Sequence, residues 1–151
     1  MPGAPVTTVV YRDGVLAADR RGYSGSKHPI GTKTKIHRLA DGSLFGCSTP
    51  TPGLAEKLRR WVDENGVEKP TPATIEAQAI VVRSDGAIFY FKDGDSFSGP
   101  LEAEYMAIGS GSEYALGALT MGADAAHAVE VAIACDVWSG GGVETLRLTR
   151  A

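Results

Sequence analysis

Cysteine is scarce in this chain of 151 residues: Cys47 and Cys135 stand far apart, with no Cys-x-x-Cys pair and no Cys/His cluster around His28, His37 or His127. That excludes a disulfide framework and a structural zinc site, and both cysteines read as buried thiols. Long apolar runs are also lacking. None approaches the roughly 18 residues that a bilayer-spanning helix needs, and the opening MPGAPV has neither the basic region nor the apolar run of a secretion signal. No membrane is expected as a partner, and the cytoplasm is the expected location. An excess of positive charge is missing too. Fifteen Lys and Arg against 18 Asp and Glu leave a net charge of −3, the wrong sign for neutralising phosphates, so nucleic acid is excluded as a partner. With 43% hydrophobic and 22% charged residues the composition is that of a folded globular chain. Residues 1–151 are read as a single domain.

What is present is a repeated turn signal. Asp-Gly occurs at Asp13-Gly14, Asp41-Gly42, Asp85-Gly86 and Asp93-Gly94, each flanked by strand-forming residues, and this pair suits the positive backbone angles of tight hairpins. The expected hairpins join Val6–Arg12 to Val15–Asp19, Lys35–Leu39 to Ser43–Cys47, and Ile75–Arg83 to Ala87–Lys92, with a fourth at Asp93-Gly94. Further strands are expected up to Ile108 and over Val143–Leu148. Helices are expected at three places. Thr51-Pro52 suits a cap and first turn for Pro52–Asn65, where Leu54, Leu58, Trp61 and Val62 recur at helical spacing before Asn65-Gly66. Ser112 caps a helix to Gly122, and Asp124 caps one to about Trp138, with Val129, Ala132 and Ile133 on one face. Strands, helix, strands, two helices and a strand make an α+β chain with helices packed on antiparallel sheet.

TTVVYRDGVLAADRR followed by GTKTKIHRL resembles the amino-terminal half of proteasome β subunits and of HslV, N-terminal-threonine peptidases of the Ntn-hydrolase class. IGSGSEYALGAL and CDVWSGGGV resemble that family's serine-bearing loop and its Asp-x-x-Ser-Gly-Gly loop. The four segments occur in the family's order and span most of the chain. The resemblance implies a four-layer αββα sandwich, Thr7 as nucleophile with residues 1–6 as a propeptide, and Asp19, Lys35, Ser110, Asp136 and Ser139 around it. It implies hydrolysis of peptide bonds in peptides or unfolded proteins, a ring-like homo-oligomer, and room for an ATPase partner. No cofactor is required; a structural cation on the backbone carbonyls of Cys135, Trp138 and Gly141 is the one group it admits.

The chemistry of these residue types agrees. A threonine hydroxyl needs a base to take its proton, and an N-terminal threonine carries one in its own α-amine. That amine titrates near 7.7–8.0 unperturbed, and a neighbouring ammonium, here Lys35 held by Asp19, favours its neutral form. A three-residue turn at Arg12-Asp13-Gly14 sets Thr7 across from Asp19; a two-residue turn sets Thr8 there. The resemblance favours Thr7. Lys33 and Lys35 share a strand face by alternation, and only the family pattern selects Lys35.

Three features depart from that pattern. Val6 precedes Thr7, where the family cleaves after glycine or loses its initiator methionine. FGCSTPTPG replaces a glycine-rich oxyanion turn, and since proline has no amide, the donor falls to Ser48 or Thr49. One helix, Pro52–Asn65, stands where the family has two, so one helical layer is reduced. Two other functions fit these departures: a catalytically silent assembly or binding protein, and an amidohydrolase acting on a small amide.

Overall fold

The computed structural model describes residues 7–24 and 28–149. Asp13 (φ 51°) and Gly14 (φ 77°) both adopt left-handed backbone, the turn whose twist matches paired strands. They join β1 (Thr8–Arg12) to β2 (Val15–Asp19). Arg12 pairs with Val15 and Val9 with Ala18, so the turn has two residues and the register brings Thr8, not Thr7, level with Asp19. This corrects the register that the resemblance favoured.

The chain continues through a hairpin that the sequence reading had not anticipated, β3 (Arg21–Ser24) with β4 (His28–Thr32), then β5 (Ile36–Arg38), β6 (Leu44–Ser48), α1 (Leu54–Asn65), β7 (Ile75–Val82), β8 (Ile88–Gly94), β9 (Ser98–Leu101), β10 (Tyr105–Gly109), α2 (Ser112–Thr120), α3 (Ala125–Cys135) and β11 (Val143–Arg147). Among the described residues the strands form one sheet in the order β10-β1-β2-β11, a second in the order β5-β6-β7-β8-β9, and the separate β3-β4 pair.

Strand alternation divides the core into three clusters. Val10 and Ala17 on one face of the first sheet pack with Ala115 and Leu119 of α2 and Ala128, Val129 and Ala132 of α3. Val9, Leu16 and Ala18 on its other face meet Ile36, Leu44, Ile80 and Val82 of the second sheet. The far face of that sheet, with Phe45, Ala79 and Phe91, packs on Leu58 and Val62 of α1. Gly46 lies against Val9 and Ile36 so closely that a Cβ would overlap both. The mixed α+β chain is thus helices on antiparallel sheets.

Several expectations change. Asp93-Gly94 makes no hairpin turn: both residues end β8, and β9 pairs with it after the chain reverses beyond them. α1 is preceded by Gly53 in left-handed conformation and α2 by Gly111, so neither Thr51 nor Ser112 caps a helix. Asp124 does cap α3, accepting the His127 N–H, and that helix stops at Cys135 instead of Trp138. Cys47 is buried but Cys135 is exposed at the helix end, so only one thiol is internal.

Candidate active site

Asp19 is the last residue of β2 and is completely buried. Lys35, just ahead of β5, donates to both of its oxygens at 3.1 and 3.0 Å. The carboxylate also accepts the Thr8 N–H at 3.0 Å and the Gly140 N–H at 3.0 Å. The Arg21 N–H adds a third amide at 3.4 Å, and a buried carboxylate with an ammonium and three amides is well compensated, which an isolated one would not be. Burial holds the Lys35 pKa below its ordinary value of 10.5, and the Asp19 charge acts against that fall. Lys33 is drawn elsewhere: its ammonium lies 2.6 Å from Glu56 of α1. The structure therefore separates the two lysines that alternation could not.

Thr7 lies just before β1 and is buried. Its carbonyl accepts the Ser110 N–H at 2.8 Å, and Gly109 (φ 96°) packs so closely that a Cβ would collide with that carbonyl oxygen. Thr7 and Lys35 line one open cleft together with Lys33, Thr49, Glu56 and Arg59.

Behind Thr7 lies a second polar cluster. Ser110 and Ser139 both donate to Asp136 Oδ2, at 2.6 and 2.7 Å, so the three residues expected from the two terminal loops do meet. Thr8 joins them through its hydroxyl, 2.7 Å from the Ser139 hydroxyl. The Arg21 guanidinium lies against Gly140 and occupies the space a Cβ would need.

Of the two oxyanion candidates, Thr49 borders the cleft, while Ser48 is paired with Gln78 inside the sheet and its hydroxyl is buried without a partner among the described residues. Among the described residues no three of His, Cys, Asp or Glu gather where a metal could sit.

Two residues of the site, Gln78 and Arg59, are not among those expected from the sequence, whereas Thr8 is the alternative to Thr7 given there. Thr8 was legible from the two-residue form of the Asp13-Gly14 turn. Gln78 accepts the Gly109 N–H at 3.0 Å and donates to the Tyr90 hydroxyl at 3.3 Å; its signal was a lone amide in the apolar strand IEAQAIVV. Arg59 had no signal beyond its place on α1.

No protein-family model and no curated protein matches the chain. Solved structures do resemble it. Eukaryotic HslV from Trypanosoma brucei superposes with a TM-score of 0.62 at 21% identity, over 93% of this chain and 98% of that one. Thiobacillus denitrificans BPH in complex with epoxomicin gives 0.59 at 20% identity, over 95% and 98%, and BPH alone gives 0.59 at 19%, over 96% and 99%. The chain thus has the proteasome-like fold of these proteins along nearly its whole length. No helix among the described residues is long and apolar enough to cross a membrane.

Proposed function

We propose that this chain is a proteasome- and HslV-like threonine peptidase, a four-layer αββα sandwich with its α1 layer reduced to one helix, in which Thr7 becomes the first residue by removal of residues 1–6. The observation that carries the reading is that Thr7 lines the same cleft as Lys35, whose ammonium is paired with the buried Asp19. The freed α-amine takes the proton of the Thr7 hydroxyl as its oxygen attacks the peptide carbonyl, and returns a proton to the departing amine. An acyl-threonine remains, and water activated by the same amine hydrolyses it. The Thr49 amide is assigned the role of stabilising the oxyanion. Ser110, Asp136 and Ser139 position the nucleophile: Ser110 through the Thr7 carbonyl, the other two through Thr8. Assembly into a homo-oligomer, with a ring as the form favoured by the fold, belongs to the same proposal.

The test joins intact mass to peptide hydrolysis. The active protein should begin at Thr7, Thr7→Ala should be inert, and epoxomicin, which BPH binds, should add its mass to the wild type alone. Cleavage by a chain that retains residues before Thr7 would overturn the mechanism. A chain that stays unprocessed and inert would establish the silent assembly protein instead.

A further inference from the structure

Ser48 ends β6 and is 1% exposed, and its hydroxyl oxygen is shielded from solvent with no hydrogen-bond partner among the described residues. A buried hydroxyl gives up its hydration, and that loss is offset only when the hydroxyl bonds to something inside. Its direction narrows the choice. Strand alternation puts Ser48 on the same face of β6 as Leu44 and Gly46, the face that meets Val9 and Leu16 of the first sheet. The side chain therefore points into the gap between the two sheets.

Across that gap runs the turn that supports the nucleophile. A Cβ on Gly109 would lie 3.3 Å from the Ser48 hydroxyl oxygen and would collide with the Thr7 carbonyl oxygen, so hydroxyl and carbonyl flank one point beside Gly109. The carbonyl accepts the Ser110 N–H at 2.8 Å, and its oxygen has a second lone pair. Gln78, level with Ser48 on β7, already holds the neighbouring amide, accepting the Gly109 N–H at 3.0 Å. The Ser48 hydroxyl and the Thr7 carbonyl make no direct hydrogen bond, but both lie within reach of one shared water, the usual partner of a buried polar group that lacks a protein one. From these placements we infer that Ser48 is a positioning residue for Thr7. Through one enclosed water its hydroxyl holds the Thr7 carbonyl, together with the Ser110 amide, and so fixes the backbone from which the threonine hydroxyl projects. This inference rests on the peptidase reading for what the positioning serves; the clamp itself needs no turnover.

Two measurements on the wild type, Ser48→Ala and Ser48→Cys test it. Hydrogen–deuterium exchange follows the Ser110 amide, which the Thr7 carbonyl holds. That amide should exchange about tenfold faster in Ser48→Ala, while the amides of α1 keep their rates. In peptide hydrolysis by the processed protein, kcat should fall about tenfold with KM and Tm little changed. Ser48→Cys, close in size but a weaker donor, should fall between the two, and it carries both measurements if Ser48→Ala does not fold. A lowered Tm with unchanged kcat and unchanged Ser110 exchange would overturn the inference and, since the wild type then still turns over, leave the peptidase intact. Faster Ser110 exchange in Ser48→Ala, with a wild type that hydrolyses no peptide, would uphold the clamp and sink the peptidase reading.

Discussion

Thr8 ties the two polar clusters of the site together: its backbone N–H reaches Asp19 at 3.0 Å while its hydroxyl lies 2.7 Å from that of Ser139. Thr8→Val keeps the strand and the amide and removes the hydroxyl. Ser139 still donates to Asp136 at 2.7 Å, so the stability loss should be about 1 kcal/mol, and activity should fall without vanishing. Thr7→Ala should do the reverse, ending turnover at little cost in Tm. Thermal melts and initial rates on both variants check the contrast.

The Lys35–Asp19 pair should behave as one unit. Lys35→Met leaves Asp19 its amide donors Thr8, Gly140 and Arg21, so the chain should fold, but the proposed free α-amine of Thr7 should lose its charged neighbour and stay protonated to higher pH. Activity near pH 7 should drop sharply and return in part above about pH 8. Asp19→Asn strands the ammonium without a counter-charge and should cost about 3–5 kcal/mol. The double variant should be little less active than either single one. Fully additive losses in the pH-rate profiles would count against the assignment.

Gln78 reaches from the second sheet to hold the Gly109 N–H at 3.0 Å, next to the turn whose Ser110 amide holds the Thr7 carbonyl. Gln78→Leu should lower kcat with KM nearly unchanged, because the nucleophile loses its placement while the cleft is untouched. Gln78→Glu keeps an acceptor for that amide and should restore most of the rate, a rescue that a mere packing role would not give.

Two glycines beside the site should respond differently to a methyl group. At Gly109 a Cβ meets backbone, the Thr7 carbonyl, and the residue has φ 96°, so Gly109→Ala should displace Thr7 and abolish activity. At Gly140 the obstacle is the far end of the long Arg21 side chain and not backbone, and Gly140→Ala should be partly active. Hydrolysis rates and the Tm of each variant test the ranking.

The cap of α3 should depend on pH within a defined window. The Asp124 carboxylate accepts the His127 N–H and the His127 ring nitrogen, each at 2.8 Å. The imidazole is thereby raised above 6.5 and the carboxylate lowered below 3.8. The histidine's contribution is complete below pH 6.5 and lost as pH climbs through its raised value. The carboxylate's is complete above pH 3.8 and lost as pH falls through its lowered value. The cap is therefore strongest between those limits, and in Asp124→Asn the His127 midpoint, followed by NMR, should move back toward 6.5.

Local chemistry made much of this architecture legible. Asp13-Gly14 makes the hairpin turn that its two left-handed residues suit, although the same pair at Asp93-Gly94 does not, and Asp124 announces a helix start because its carboxylate satisfies an orphan amide. Ser110, Asp136 and Ser139 carry a recognisable order along the chain, and the structure gathers them. What stayed hidden depends on sheet pairing. The level at which Thr8 meets Asp19 is a choice between two turns that the same residues permit. The reach of Gln78 to Gly109 spans two sheets and leaves no trace at any sequence spacing. The glycines before α1 and α2 displaced the expected caps at Thr51 and Ser112 because backbone conformation, and not a side-chain oxygen, starts those helices.

The donors to Asp19 come from Thr8, Arg21, Lys35 and Gly140, and the last of these lies 121 residues further along the chain. During synthesis the early strands leave the ribosome long before that amide exists, so a nascent chain holds its buried carboxylate incompletely dressed. Completion of the site is thereby tied to synthesis of the chain through Gly140.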